Sequence, residues 1–382
     1  MVVEPSGRRS YHRDPEECPA GDPHYGDAIP TTALLSFRLD GTDGVSIEAA
    51  KWRGALGRLG HTTYTVAGSG PVDVVVPGLA IDDRGTPSAR RLTAALARAD
   101  LVVVENLLSL PLNQAAWDVA AGVLAGRPAV LHHHDLPWQR ARFAGHAPPP
   151  DDPAWRHVTI NERSRTELAE HGIAGRTVYN SFDVPPPRPA PAWPDRSDRG
   201  RLLREALGIG RTDRLVLQPT RALARKNVAG GLRSAAELGA TYWLLGPAED
   251  GYGPELERLV ATAPCPVQRG FPDAPAAGGT WTVDDAYQAC DVVTLPSTWE
   301  GFGNPSLESV THRRPLVIGP YPVAVELAAF GFRWFALDAV TGLDDWLAHP
   351  DPGLLEANLE VARAHFSLED LPGRIAEVLA TL

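Results

Sequence analysis

The chain has 382 residues, 43% of them hydrophobic and 22% charged, the proportions of a water-soluble globular enzyme with room for two domains. A formal net charge of −11 argues against nucleic acid as a general partner, because phosphate backbones demand clustered Lys and Arg. No apolar run reaches the ~20 residues of a membrane span, no signal-peptide pattern opens the chain, and Cys18, Cys265 and Cys290 show no paired spacing, so a cytoplasmic protein without disulfides or structural zinc is expected.

Residues 1–30, with prolines scattered among charges, read as an irregular extension. Regular structure is expected from the apolar run Ala33–Phe37, a buried strand. A Gly-containing loop follows, then a helix over Ser46–Leu59, with Ser46 as cap, Glu48 and Lys51 early on its face and Gly60 as terminator. Further strands are predicted at Val72–Val76, Leu101–Val104, Ala129–Leu131, Val158–Ile160 and Thr177–Tyr179. Helices are predicted between them at Ser88–Ala99, Asn113–Leu124 and Glu162–His171. Strands alternating with helices imply a parallel sheet covered on both faces, so residues 31–183 form one Rossmann-like lobe.

The proline density of residues 184–198 forbids regular structure and marks an interdomain linker. A second alternating series over 199–352 has strands at Leu215–Gln218, Tyr242–Leu245, Val267–Arg269, Val292–Leu295 and Leu316–Ile318. Residues 353–382 carry two amphipathic helices, expected to pack back on the N-lobe. The fold class is therefore α/β, with two doubly wound parallel-sheet lobes facing a central cleft at the carboxyl ends of their strands.

Two segments of the second lobe carry chemistry. Thr220-Arg-Ala-Leu-Ala-Arg-Lys-Asn227 leaves a strand and enters a helix that Asn227 can cap. Cations beside exposed helical amides suit an anion such as a diphosphate, with Arg221 and Lys226 favoured and Arg225 less so. The second is Glu300-Gly-Phe-Gly-Asn-Pro-Ser-Leu-Glu308, which follows the strand Val292–Leu295. Here Gly301, Phe302 and Gly303 form a turn, Asn304 is read as a helix cap and Pro305 as the first helical residue. The backbone amides from Gly303 to Leu307 form a second anion-binding helix end. Glu300 sits on the loop and Glu308 in the first helical turn, two carboxylates suited to vicinal hydroxyls.

These motifs resemble retaining family-4 glycosyltransferases of the GT-B fold, whose signature is this Glu-x7-Glu pattern. Asp43-Gly44-Val45 resembles the family's N-terminal Gly-Gly loop, with Asp43 in place of the first glycine. Gly60-His61 with Tyr64-Thr-Val66 resembles the opening of its second strand, and His134-Asp135-Leu136 its cleft histidine segment. Tyr179-Asn-Ser-Phe-Asp183 resembles the stretch before the linker, and Asp291 with Pro296-Ser297 the run before the first glutamate. The resemblance implies that Arg221 and Lys226 hold the leaving diphosphate, Glu308 the ribose, Glu300 the donor sugar, and the amides of Gly301 to Asn304 sugar and phosphate. His134 would face the reacting carbon. A front-face reaction with retention follows, with no cofactor and no metal beyond the nucleotide diphosphate sugar itself. The family's Gly-Gly pair after Leu316-Val-Ile318 is replaced by Gly319-Pro-Tyr-Pro-Val-Ala-Val-Glu326, which marks a divergent subgroup.

On the first lobe, the run His132-His-His-Asp135 offers metal-ligand types, but alternation along a strand divides the histidines between two faces and no further ligand is apparent. The acidic doublets Asp82-Asp83, Asp151-Asp152, Asp284-Asp285 and Asp344-Asp345 read as turn and capping residues. Arg38, Asp43, Trp138 and Arg140 are the candidate acceptor contacts, although a tryptophan such as Trp138 is more commonly buried in packing. Without a basic amphipathic face on this lobe, a small soluble acceptor is expected rather than a lipid. Two other functions fit the same fold: a nucleotide-sugar epimerase, against which the Glu-x7-Glu arrangement argues, and a catalytically silent sugar-nucleotide-binding partner protein.

Overall fold

The computed structural model describes residues 29–39, 41, 43–189, 191–273 and 279–382; most of the expected N-terminal extension lies outside the described residues. In the first lobe the order is β1 (Thr31–Arg38), α1 (Gly44–Arg58), β2 (Thr62–Ser69), β3 (Val74–Val75), α2 (Ala89–Ala95), β4 (Leu101–Glu105), α3 (Gln114–Leu124), β5 (Ala129–His133), β6 (Trp155–Thr159), α4 (Glu162–Glu170) and β7 (Gly175–Thr177). The second lobe runs α5 (Asp198–Ala206), β8 (Leu215–Gln218), α6 (Val228–Glu237), β9 (Thr241–Leu244), α7 (Gly253–Ala261), β10 (Val267–Arg269), α8 (Val283–Ala289), β11 (Val292–Leu295), α9 (Asn304–Thr311), β12 (Leu316–Ile318), α10 (Pro322–Ala328), β13 (Phe335–Ala336) and α11 (Thr341–Ala348). Two final helices follow, α12 (Pro352–His365) and α13 (Leu371–Leu379).

Every strand pairing is parallel, in a seven-stranded sheet β3-β2-β1-β4-β5-β6-β7 and a six-stranded sheet β10-β9-β8-β11-β12-β13. Alternation along the strands feeds two hydrophobic layers per sheet. In β4, Val102 and Val104 join one layer with Leu92, Leu96 and Leu124 of the α2–α3 side. Its neighbours Leu101 and Val103 join the other, with Trp52 and Leu56 of α1. The second sheet divides likewise, Leu215 and Leu217 facing the α5–α8–α9 side and Val216 the α6 side. The strand order reverses at β1/β4 and at β8/β11, so each lobe has a crevice there, outside the strands' carboxyl ends.

The start of α1 differs from the sequence reading. Asp43, not Ser46, caps α1: its carboxylate accepts the Ser46 amide at 3.2 Å and the Ser46 hydroxyl at 3.0 Å. The helix therefore starts at Gly44, because a carboxylate outcompetes a hydroxyl for the exposed amides. Strand β2 shows no long apolar run in Thr-Thr-Tyr-Thr-Val-Ala-Gly-Ser, yet pairs with β1 along almost its whole length.

The described residues of 184–197 form no helix or strand, and the segment from Trp193 onward lies against the second lobe. Trp193 packs edge-on to Trp346, Arg196 pairs with Asp291, and the Asp195 carbonyl accepts from Arg314 at 2.6 Å. Helix α12 packs on the second lobe through Leu359 and Ala362. The chain then crosses back, and Leu371, Ile375 and Val378 of α13 close the α1 side of the first sheet.

Candidate functional site

The strand ends of β8 and β11 bring the two chemical segments side by side. Asn227, in the left-handed region at φ 48°, caps α6 by accepting the Gly230 amide at 3.1 Å, as its position implied. Its side-chain amide donates to the Pro296 carbonyl at 3.0 Å, and the Thr298 amide donates to the Arg225 carbonyl at 2.9 Å. The loops are thereby fastened together. Between them lies the Glu300 carboxylate, which takes an ion pair from Lys226, a hydrogen bond from the Ser297 hydroxyl at 2.6 Å and one from Arg225 at 3.1 Å. Burial pushes the Glu300 carboxyl up, but Lys226 and Arg225 outweigh it and hold the group below its ordinary value. Burial likewise lowers the Lys226 ammonium against the opposing pull of Glu300. Arg221 stands further out, paired with Glu249 at 2.5 Å and 41% exposed.

The turn after Glu300 differs from its sequence reading. Gly303, at φ 93°, is the residue before α9, and Asn304 is the first helical residue rather than the cap. A side chain at 303 would be strained by that φ and would meet the Tyr321 hydroxyl at 2.1 Å. The Asn304 side chain is used elsewhere, accepting from the Asn180 amide of the first lobe at 2.8 Å. Glu308 is correspondingly beyond the first turn, which contains no acidic residue. It is half-buried, accepts the Tyr287 hydroxyl at 2.5 Å, and is raised above the ordinary carboxylate value by burial. Phe302 and Leu307 are buried in the second-lobe core, so at these two positions only the backbone is available to a ligand.

Across the cleft, Gly301 lies against the first lobe so closely that a Cβ there would stand 2.6 Å from the His134 carbonyl oxygen. His134 follows β5, and its Nε2 lies 2.8 Å from Glu105 Oε2 at the end of β4. His132 Nδ1 is 2.9 Å from the same oxygen. The sequence reading found no further ligand beside the histidine run; the β4–β5 register supplies Glu105, opposite His132, and these three donor atoms lie within 4.8 Å of one another. A carboxylate can only accept, so both imidazoles spend an N–H on it and neither of those nitrogens keeps a lone pair for a cation in this arrangement. His133 faces the other way, joined to Ser109 at 2.6 Å and to His157 at 2.9 Å, and His157 reaches Asp151 at 3.1 Å.

The acceptor candidates are divided. Arg140 forms an ion pair with both oxygens of Asp135 at 2.8 Å and also feels the charge of Glu300, which places it beside the cleft. Asp43 and Arg38 pair with each other at 3.2 Å at the start of α1, beside Gly44. Trp138 is taken up in packing: its ring stacks on His171 at 3.9 Å and its N–H donates to Glu167 at 2.9 Å. Two further residues were read from the sequence only as positions on the face of α1. Glu48 is buried and paired with Lys51 at 2.5 Å, and the Lys51 ammonium sits 4.3 Å from the centre of the Phe182 ring, near enough to Glu308 to act on its charge. Only their i, i+3 spacing on α1 hinted at the pair. An open cavity of about 900 Å³ lies alongside, lined by Gly41, Ser46, Ile47, Lys51, Asp183 and Glu369 among others.

Glu326 joins the lobes. Its carboxylate accepts the Glu162 amide at 2.7 Å and the Arg163 amide at 3.1 Å, at the start of α4, and the Tyr179 hydroxyl at 2.7 Å. Asn161 adds a bond to the Gly301 carbonyl at 2.6 Å. Glu326 therefore stands at a lobe–lobe contact rather than among the groups around Glu300.

No known protein-family model matches the chain. Two mannosylglucosylglycerate synthases are similar to it along most of their length. That of Thermotoga maritima is 25% identical, covering 89% of this chain and 97% of that protein. That of Petrotoga mobilis is 24% identical, covering 80% and 86%. Among solved structures, Anabaena HepE in complex with UDP-glucose aligns with a TM-score of 0.69 and 18% identity over 92% of this chain and all of that one. Sucrose-phosphate synthase of Thermosynechococcus elongatus aligns with a TM-score of 0.65 and 14% identity, covering 92% and 98%. The expected two-lobed GT-B architecture is the fold of this chain, and the resemblance to glycosyltransferases of that fold extends over nearly its whole length.

Proposed function

We propose that this chain is a retaining glycosyltransferase that moves a hexose from a nucleotide diphosphate sugar to a hydroxyl of a small, soluble acceptor. The arrangement that carries the reading is Glu300 held between Lys226, Arg225 and Ser297 where β8 and β11 diverge, with Glu308 on the following helix. In the reaction, negative charge develops on the departing diphosphate. Lys226 and Arg221, with the amides at the start of α9, stabilise that charge more than they stabilise the ground state. Once a diphosphate draws Lys226 toward itself, the Glu300 carboxylate is released to accept from donor-sugar hydroxyls. Glu308 takes the ribose hydroxyls, and His134 meets the sugar from the opposite lobe. The leaving phosphate accepts the acceptor's proton as the new bond forms on the same face, so neither a carboxylate nucleophile nor a metal has a step to perform.

The relatives' name directs the choice of acceptor: a glycosylated glycerate, a small anionic glycoside, is the class to try first. UDP-glucose, present in the HepE complex, and a nucleotide-linked mannose are the first donors. The test is a turnover assay with these donors and glucosylglycerate, run with and without a chelator, with the anomeric configuration of the product read by proton NMR. A product retaining the donor's configuration at undiminished rate in chelator supports the reading. An inverted product, or tight nucleotide-sugar binding with no transfer or hydrolysis across the donor panel, overturns it.

A further inference from the structure

We propose that Glu105 is a positioning residue for the transfer reaction, fixing His134 as an Nε2-protonated imidazole whose Nδ1 is offered to the substrate. The inference rests on the glycosyltransferase reading for its functional consequence, though not for its geometry. Glu105 ends β4 with no exposure to solvent, and His132 and His134 converge on a single oxygen, Oε2, at 2.9 and 2.8 Å. Since a carboxylate has no proton to give, the His134 proton on that side must be on Nε2. No hydrogen bond is made by His134 Nδ1 among the described residues. The backbone is fixed as well, because the His134 amide donates to Asn106 Oδ1 at 3.1 Å, and Asn106 directly follows Glu105.

The groups around His134 also set its charge. Glu105 faces it from β4, Glu48 from α1 with Lys51 behind, Asp135 from its own loop with Arg140 behind, and His132 from β5 with ring centres 4.4 Å apart. In the inner cluster, Glu48 is neutralised by Lys51, and Glu105 is neutralised only if one of its two imidazoles takes a second proton. The His132 ring lies tilted against Trp52, with ring centres 4.4 Å apart, and is lowered by burial, with Glu105 opposing. His134 is also pushed down by burial, but Glu105, Glu48 and Asp135 outweigh that and raise it. The second proton therefore belongs on His134 Nδ1, where it makes the nitrogen facing the substrate a donor to an oxygen of the sugar or its diphosphate. A charge-assisted donor of this kind strengthens as the leaving group gains charge.

The test replaces Glu105 with Gln and follows both the imidazole and the reaction. With histidine ring nitrogens labelled, the wild-type protein is expected to show His134 protonated at Nε2 throughout and at Nδ1 up to a pH above the ordinary imidazole range, assigned by the missing signal in His134→Ala. In Glu105→Gln the Nδ1 titration moves to lower pH. In turnover assays, Glu105→Gln lowers kcat at least tenfold, leaves the donor KM within about threefold, and shifts the alkaline limb of the kcat profile to lower pH. In a His134→Ala background the same substitution changes kcat less than twofold. An unshifted His134 titration in a folded Glu105→Gln protein overturns the proposal, whether or not transfer activity has been found. So does a full-sized effect in the His134→Ala background, which marks Glu105 as merely structural. One equivalent of metal in the purified protein, lost in Glu105→Gln, would assign the cluster to a cation instead. Correct imidazole behaviour with no transferase activity leaves the geometry standing and removes the functional reading.

Discussion

Lys226 and Glu300 form an ion pair in the crevice of the second lobe, and each is nearly buried, with 10% and 8% of its side chain exposed. On the proposed function, the pair holds a cation and a carboxylate where a diphosphate sugar would need both. It also makes Glu300 expensive to remove, because Lys226 is then left charged and buried without its partner, whereas loss of Lys226 leaves Glu300 with Arg225 and Ser297.

Replacement of Lys226 by Ala is expected to destabilise the protein by about 2–3 kcal/mol, below the full cost of stranding a buried charge because Arg225 and Ser297 remain on Glu300. Arg221→Ala removes a half-exposed partner of Glu249 and is expected to cost no more than about 1 kcal/mol. Both substitutions should weaken binding of a nucleoside diphosphate at least about tenfold, a loss of about 1.4 kcal/mol. Chemical denaturation and titration calorimetry on the same preparations check the contrast. Equal stability losses would show that the burial difference between the two pairs has no energetic weight.

Among the described residues the Glu308 carboxylate makes one hydrogen bond, accepted from the Tyr287 hydroxyl. If ribose hydroxyls donate to it as well, Glu308→Ala weakens UDP binding by about 1.5–3 kcal/mol, the worth of a hydrogen bond to a charged group. The same substitution should leave the affinity of 2′,3′-dideoxy-UDP almost unchanged. A parallel loss for both ligands would assign Glu308 to folding rather than to ribose.

Glu326 ties α10 to the first turn of α4, where the helix dipole favours its charge. Glu326→Ala is expected to separate the lobes without unfolding either. Small-angle scattering should then show a larger radius of gyration in the absence of ligand, and saturating nucleotide sugar should reduce the difference. Superimposable curves for the two proteins would mean that Glu326 does not hold the cleft closed.

The pH dependence of stability follows from Glu105. Its ordinary value of 4.5 is raised by burial, then carried down to about 2 by the charges and hydrogen bonds of His132 and His134. A depressed carboxyl stabilises the fold fully above its unfolded value and loses that contribution as the pH falls through the folded one. Wild-type stability should therefore decline between about pH 4.5 and pH 2 more steeply than that of Glu105→Gln. Denaturant midpoints across that window measure the difference; parallel curves would contradict it.

The second lobe was the more legible in sequence. Residues such as Leu215–Gln218 and Val292–Leu295 are short apolar runs in strands buried on both faces, and the charged loops that leave them are contiguous in sequence. Strand β2 was legible only through resemblance, because threonines and a glycine dilute its apolar pattern while backbone pairing to β1 sustains it. The start of α9 was misread by one residue. Asn304-Pro305 has the composition of a cap followed by a first turn, but the left-handed Gly303 precedes it and the Asn304 side chain is drawn to Asn180. Glu105 and Asn161 gave no local signal at all, and Asn180 only its place in the stretch before the linker. Each acts on a group far away in the chain, through a sheet register or a lobe contact that no short window contains.

The return of α13 to the first lobe bears on how the chain is built. Trp52, Leu56, Val103 and Val158 are synthesised early, but the Leu371, Ile375 and Val378 side chains that cover them come only after the entire second lobe. On the ribosome the first sheet must wait with part of its α1 side uncovered while the second lobe emerges and folds. The first lobe is therefore left without part of its own core when the chain is cut at the linker.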